Sequence, residues 1–132
     1  MINIIVMGHG GYAEGVKGNI EMLSGIPKNI HFIDLGKEGG LPQLEMDLDQ
    51  LLIELGDSEI LYVCDLLGAS PFRVAAMKCI ENPIKQALVT GLNTMALVEL
   101  SIYDDNLSLI EMAERAINTT KESVSRFTIP TF

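Results

Sequence analysis

The chain has 132 residues, 48% of them hydrophobic and 20% charged, with a mean hydropathy of +0.28. That is one domain's worth of chain with enough apolar content to build its own core, and it excludes intrinsic disorder. Nine basic against eighteen acidic residues give a net charge of −9, which argues against phosphate backbones and anionic lipid as partners; the low aromatic share, with no Trp, argues equally against a base-stacking surface for nucleic acid.

Residues 2–7 form a short apolar run that stops at Gly8-His9-Gly10-Gly11, the pattern of a buried strand and its exit loop. Tyr12, Val16, Ile20 and Leu23 then recur at helical spacing, and Gly25 suits the stop. A second strand is predicted over 30–35, followed by a loop holding Gly36, Gly39, Gly40 and Pro42. Residues 43–55 place Leu44, Leu48, Leu51, Leu52 and Leu55 on one helical face, ended by Gly56. The third strand covers 60–63 and closes at Cys64-Asp65. Ser70 is expected to cap a third helix with Pro71 in its first position. A fourth strand spans 85–89 and closes near Thr90-Gly91. Helices are predicted over 93–101 and 107–126, with Asp104-Asp105 in a loop, and residues 127–129, before Pro130, read as a last short strand.

Strands alternating with helices predict an α/β fold: one domain over 1–132, doubly wound, with a mainly parallel sheet and helices on both faces. Cys64 and Cys79 lie in apolar segments and read as reduced thiols of a cytosolic protein rather than as a disulfide framework. The N-terminus carries no basic leader, and no run approaches the roughly 20 apolar residues of a membrane span.

In open α/β sheets ligands bind beyond the carboxyl ends of the strands, where the winding reverses. His9 follows the first strand and Asp65 the third. If those strands are neighbours, the two side chains face each other across the crevice. A carboxylate can then hold one ring N–H, fix the tautomer and leave the other nitrogen to accept a group. Glycines at 8, 10 and 11 permit close approach. The predicted N-termini of the first and third helices offer backbone amides to an anion, and the Ser70 hydroxyl adds a donor. No Lys or Arg stands directly beside either motif, so neutral donors are expected to hold a phosphoryl group.

Taken singly, each residue has a plainer reading. A histidine between glycines is a common turn residue, an aspartate at a strand end a common cap, and Ser70 first of all a helix cap. It is the joint placement at two strand ends that argues for chemistry. His31 reads as structural, Cys64 as core, the Met residues as helix-face filler, and the acidic stretch 45–49 as a solvated face. Two histidines without ligand spacing make no zinc site, and neither metal nor cofactor is expected.

The segment Met7-Gly8-His9-Gly10-Gly11-Tyr12-Ala13-Glu14-Gly15 resembles the phosphorylation-site segment of mannose-type enzyme IIA domains, which belong to the bacterial phosphoenolpyruvate-dependent sugar phosphotransferase system. Cys64-Asp65-Leu66-Leu67-Gly68-Ala69-Ser70-Pro71-Phe72 resembles the second signature of that family, with weaker matches at Met22-Leu23-Ser24-Gly25, Asn29-Ile30 and Thr90-Gly91-Leu92-Asn93. The resemblance implies a sheet of order 2-1-3-4. It also implies a phosphohistidine at His9, fed by the histidine phosphocarrier protein and passed to a histidine or cysteine of a IIB component. Membrane IIC and IID subunits would be served indirectly. Asp65 would orient His9, and Gly10, Gly11, Gly68, Ala69 and Ser70 would surround the phosphate. Family members are homodimers that exchange a C-terminal antiparallel strand, for which 127–129 is the candidate here. The chain departs from the pattern at Ala69, where a second glycine is common, and at Asn93-Thr94-Met95, which lacks a proline. With no IIB segment following, a separate IIA subunit or an isolated domain is expected.

Rival readings are weighed by the same residues. The phosphotransfer subunit of dihydroxyacetone kinase shares the fold and an N-terminal histidine, but Gly68-Ala69-Ser70-Pro71 favours the sugar system. A receiver-like signalling module phosphorylated on Asp65 needs an acidic pair after the first strand to bind magnesium. A flavin module needs a hydroxyl-rich loop there, and a histidine phosphatase an Arg beside the histidine. This chain has Gly8-His9-Gly10-Gly11 instead.

Overall fold

The first strand, β1 (Ile2–His9), is buried from Ile2 to Gly8 and only His9 emerges. Its alternating side chains serve two cores, because successive residues of a strand point to opposite faces. Ile2, Ile4 and Val6 enter one cluster, and Ile5 and Met7 enter the other. A strand apolar on both faces fits only at the centre of a sheet covered on both sides.

The computed structural model describes residues 1–103 and 106–131. After β1 the chain runs through α1 (Tyr12–Leu23), β2 (Ile30–Leu35), α2 (Gly40–Leu55), β3 (Glu59–Cys64), α3 (Ser70–Glu81), β4 (Gln86–Thr90), α4 (Thr94–Ser101) and α5 (Leu109–Ser123). The sheet order is β2-β1-β3-β4, and all three pairings are parallel. One face is covered by α1, α4 and α5 through Ala13, Val16, Ile20, Leu97 and Met112. The other is covered by α2 and α3 through Leu44, Leu48 and Ala75. The α/β fold and the 2-1-3-4 order expected from sequence are those found. β1 sits between β2 and β3, so the winding reverses at its carboxyl end and opens the crevice there.

Several boundaries differ from the sequence reading, each for a local reason. α2 begins three residues early, at Gly40. Gly39 adopts a left-handed φ of 78° as its N-cap, and Pro42 is tolerated inside the first turn because no intrahelical partner awaits its missing amide. α3 is capped by Ala69, not by Ser70; Ser70 is already helical. α5 starts after Ser108, which forms a capping box with Glu111, and stops at Ser123. Val124 is extended, so the predicted helix loses its last three residues. Residues 127–129 form no strand within this chain, and Phe127 and Ile129 are exposed. An extended segment needs a free edge to pair with, and among the described residues none pairs with these. The loop expected at Asp104-Asp105 lies outside the described residues.

Candidate functional site

His9 ends β1 and Asp65 follows β3 immediately. Met7 pairs with Cys64 in the register, and the Asp65 amide donates to Met7 O at 3.2 Å, so the ladder carries both residues to the same rim. Asp65 Oδ2 accepts twice from His9: from the backbone amide at 2.9 Å and from ring Nδ1 at 2.8 Å. A carboxylate only accepts, so Nδ1 holds the hydrogen and Nε2 is left with a lone pair. The His9 side chain is 42% exposed, while that of Asp65 is 15% exposed. The orienting group is thus sheltered and the oriented one is open to a visitor.

The exit loop is tied down on the other side by β2. The Gly10 amide donates to Leu35 O at 2.9 Å. Asp34, opposite Gly8 in the β1–β2 register, accepts from the Ala13 amide at 2.8 Å and the Glu14 amide at 3.0 Å. This corrects the expectation for α1: its N-terminal amides at 13 and 14 are occupied by Asp34 and do not await an anion. Gly10 contributes its left-handed φ of 58°, which reverses the chain after His9, rather than an amide.

Across the crevice, Gly68 has a φ of 81° and Ala69 donates to Leu66 O at 3.4 Å. The amides of Gly11, Gly68 and Ser70, and the Ser70 hydroxyl, have no protein partner among the described residues. Freed from capping, Ser70 is a better candidate for ligand contact than its expected role allowed. The expectation of no nearby cation is corrected by Arg73, whose Nε donates to Gly68 O at 2.9 Å. One helical turn separates it from Ser70, a spacing at which the guanidinium can fold back over the loop. Arg73 and Ser70 also border a cleft of about 380 Å³ between α2 and α3, which His9 does not line.

The remaining polar residues keep structural duties. His31 Nε2 meets Asn3 Oδ1 at 3.0 Å, and burial holds its pKa below the ordinary imidazole value. Burial, followed by the nearby Asp65 carboxylate, pushes the Cys64 thiol up to about 12, and burial alone lifts Cys79 to about 11. Both are free thiols without nucleophilic character. Tyr12 is raised to about 12 by burial first and by Asp65 second. Reading strand ends in sequence passed over Asp34 because it lies inside the strand. Its signal was a carboxylate at the carboxyl end of the strand beside β1. For Arg73 the signal was its position three residues after Ser70.

A model of the family described as "PTS system fructose IIA component" matches residues 3–117, which include His9 and Asp65. The chain belongs to that family. It is accordingly a phosphoryl-carrying component of a sugar phosphotransferase system, of IIA type. Among relatives, it is 26% identical over 113 residues to the PTS system fructose-specific EIIA component of Bacillus subtilis (strain 168), covering 85% of this chain and 77% of that protein. It is 30% identical over 125 residues to the PTS system mannose-specific EIIAB component of Escherichia coli (strain K12), covering 93% of this chain but 38% of that longer protein. The mannose/sorbose specific IIA subunit from Enterococcus faecalis superposes with a TM-score of 0.88 at 25% identity, covering 98% of this chain and 97% of that one. Among the described residues, no helix of this IIA chain is long and apolar enough to cross a membrane.

Proposed function

We propose that His9 Nε2 is the phosphoryl acceptor, taking the group from the histidine phosphocarrier protein and passing it to a IIB component. One observation carries this reading: Asp65 holds Nδ1 at 2.8 Å on an exposed ring whose other nitrogen has no partner among the described residues. The Nε2 lone pair forms the new N–P bond as the donor's N–P bond breaks, its electron pair returning to the donor nitrogen. No proton has to leave Nε2 first. The Nδ1–H stays on Asp65, which offsets the positive charge the ring acquires. The developing charge on the phosphoryl oxygens meets the amides of Gly11, Gly68 and Ser70 and the Ser70 hydroxyl at the start of α3, with Ala69 shaping the turn. Asp65 is mostly buried and doubly bonded by His9, which argues against its own phosphorylation as in a receiver. The family match favours the sugar system over the dihydroxyacetone kinase subunit.

The same reading sets the protein in the cytoplasm, serving membrane IIC and IID subunits through IIB. It also makes the protein a homodimer, built by laying residues 127–129 of each copy against the other's β4. Two features support the dimer: β4 is an edge strand in this chain, and the apolar side chains of Phe127 and Ile129 are exposed.

The deciding experiment supplies phosphoenolpyruvate, enzyme I and the histidine phosphocarrier protein and maps the phosphate by mass spectrometry. An acid-labile adduct on His9, absent in His9→Ala, is expected. Phosphate on Asp65 or His31, or none at all, overturns the assignment.

A further inference from the structure

In the β1–β3 register Val6 lies opposite Val63, and both point into the cluster beneath α1, α4 and α5. Two residues further on, Gly8 and Asp65 continue that face, since side chains alternate with period two. Tyr12, the first residue of α1, lies directly over Gly8. A Cβ placed on Gly8 would come within 2.4 Å of Tyr12 Cδ1, so the absence of a side chain at position 8 is what lets the ring down onto the strand. There the ring packs against the cluster, half-buried, on the face that Asp65 continues and close enough for the Asp65 carboxylate to disfavour ionisation of the phenol.

Asp65 is only half satisfied. Oδ2 receives both donors from His9, whereas Oδ1 is buried with no hydrogen-bond partner among the described residues. A buried carboxylate oxygen without a donor is costly, and a charged acceptor is the one most strengthened by gaining a donor. The Tyr12 hydroxyl likewise has no hydrogen-bond partner among the described residues. Of the other acidic groups acting on Tyr12, Asp34 has both oxygens engaged by α1 amides, and Cys64 is a buried thiol. Asp65 Oδ1 is therefore the acceptor left open on this face.

We propose that Tyr12 is a positioning residue of the phosphoryl-transfer site: its hydroxyl donates to Asp65 Oδ1, fixing the carboxylate so that Oδ2 stays on His9 Nδ1 and Nε2 stays turned outward. The two oxygens are not in hydrogen-bond contact in this structure, and contacts of this kind are commonly long before a site is occupied and tighten with it. Charge developing on the phosphorylated ring draws Oδ2 toward Nδ1, and the phenol follows to hold the open Oδ1. The role rests on His9 as the phosphoryl acceptor.

The test is Tyr12→Phe, which keeps the ring on Gly8 and removes only the hydroxyl. Phosphorylation of His9 by excess phosphorylated phosphocarrier protein is followed by rapid quench, and the imidazole nitrogens of free and phosphorylated protein are read by ¹⁵N NMR. The expected result is a rate about three- to tenfold lower, of the size one charge-assisted hydrogen bond supports. A fall in the Nδ1–H tautomer signature should accompany it, with unchanged circular dichroism. In an Asp65→Ala background the same substitution should change the rate by less than about twofold, since its acceptor is gone. A wild-type rate with unaltered ¹⁵N shifts overturns the proposal, as does an equal loss in the Asp65→Ala background. If the unaltered protein takes no phosphate on His9, the acceptor assignment fails and the role of Tyr12 fails with it. Normal phosphorylation indifferent to Tyr12→Phe sinks the role of Tyr12 alone.

Discussion

Asp34 Oδ1 accepts the Ala13 amide at 2.8 Å, so the carboxyl end of β2 closes the N-terminus of α1 from outside the helix. The Glu14 backbone amide donates to the other oxygen, Oδ2, at 3.0 Å. This carboxylate replaces a side-chain cap, because the N-cap position is Gly11 and has none to give. It also complements the positive end of the helix dipole. Asp34→Ala should therefore lower stability by about 1–2 kcal/mol, with Asp34→Asn losing less because one oxygen still accepts. Urea midpoints of the three proteins decide this. Equal midpoints for Asp34→Ala and the parent protein would show that the helix start does not depend on the clamp.

Asp65→Asn separates orientation from folding. The amide is nearly isosteric, so circular dichroism and the urea midpoint should stay close to those of the parent. The amide can present N–H to the ring where the carboxylate only accepts, and control of the tautomer is lost. Phosphorylation of His9 should then slow by about a hundredfold, within the range that positioned proton-holding groups contribute. An unaltered rate removes Asp65 from the mechanism and leaves it a loop anchor.

Much of this was legible in the chain because β1 obeys two rules at once. A run apolar at every position but Asn3 from Ile2 to Met7 fits the centre of a sheet, and a glycine-flanked histidine at its end fits a rim. The β2-β1-β3-β4 order then places Asp65 beside His9. What the chain concealed were contacts set by register. Asp34 faces Gly8 across β1 and β2, an alignment that residue spacing along the chain does not record. The cap of α3 was misassigned for a related reason. Ser70 has the better capping side chain, yet the turn at Gly68 brings Ala69 into extended geometry one residue earlier. Arg73 was overlooked because its effect depends on a side chain folding back, which spacing alone does not record.

Ionisation sets a limit on the alkaline side. Tyr12 rises from 10.0 to about 12 and Cys64 from 9.0 to about 12, chiefly by burial. Both groups keep their protons longer folded than unfolded. Their contribution is complete below the unfolded values and is lost as pH rises, because the unfolded chain then binds fewer protons. Stability should begin to fall above about pH 9 and steepen past pH 10. Cys64→Ala should lessen the early part of that fall. His31 works in the opposite sense: its pKa is lowered by burial, so the unfolded state gains protons first and stability drops as pH falls below about 6.5. Urea midpoints from pH 5 to 11 check both limbs. A midpoint still rising above pH 10 contradicts the account of the two buried groups.

The proposed dimer turns on an edge. Among the described residues β4 pairs only with β3, while Val124, Phe127 and Ile129 are exposed and residues 124–131 are free of helix and strand. A partner's segment along β4 would satisfy that row of amides and carbonyls and cover the apolar side chains in one step. Sedimentation or light scattering at micromolar concentration should give twice the chain mass for the parent protein and the single mass when residues 127–132 are removed. Phe127→Asp, which leaves the backbone able to pair but makes burial of that side chain unfavourable, should shift the equilibrium toward monomer by about tenfold or more. If the parent protein is already monomeric, the exchange is wrong. If the truncated form stays dimeric, the copies meet through a different surface and β4 remains an open edge.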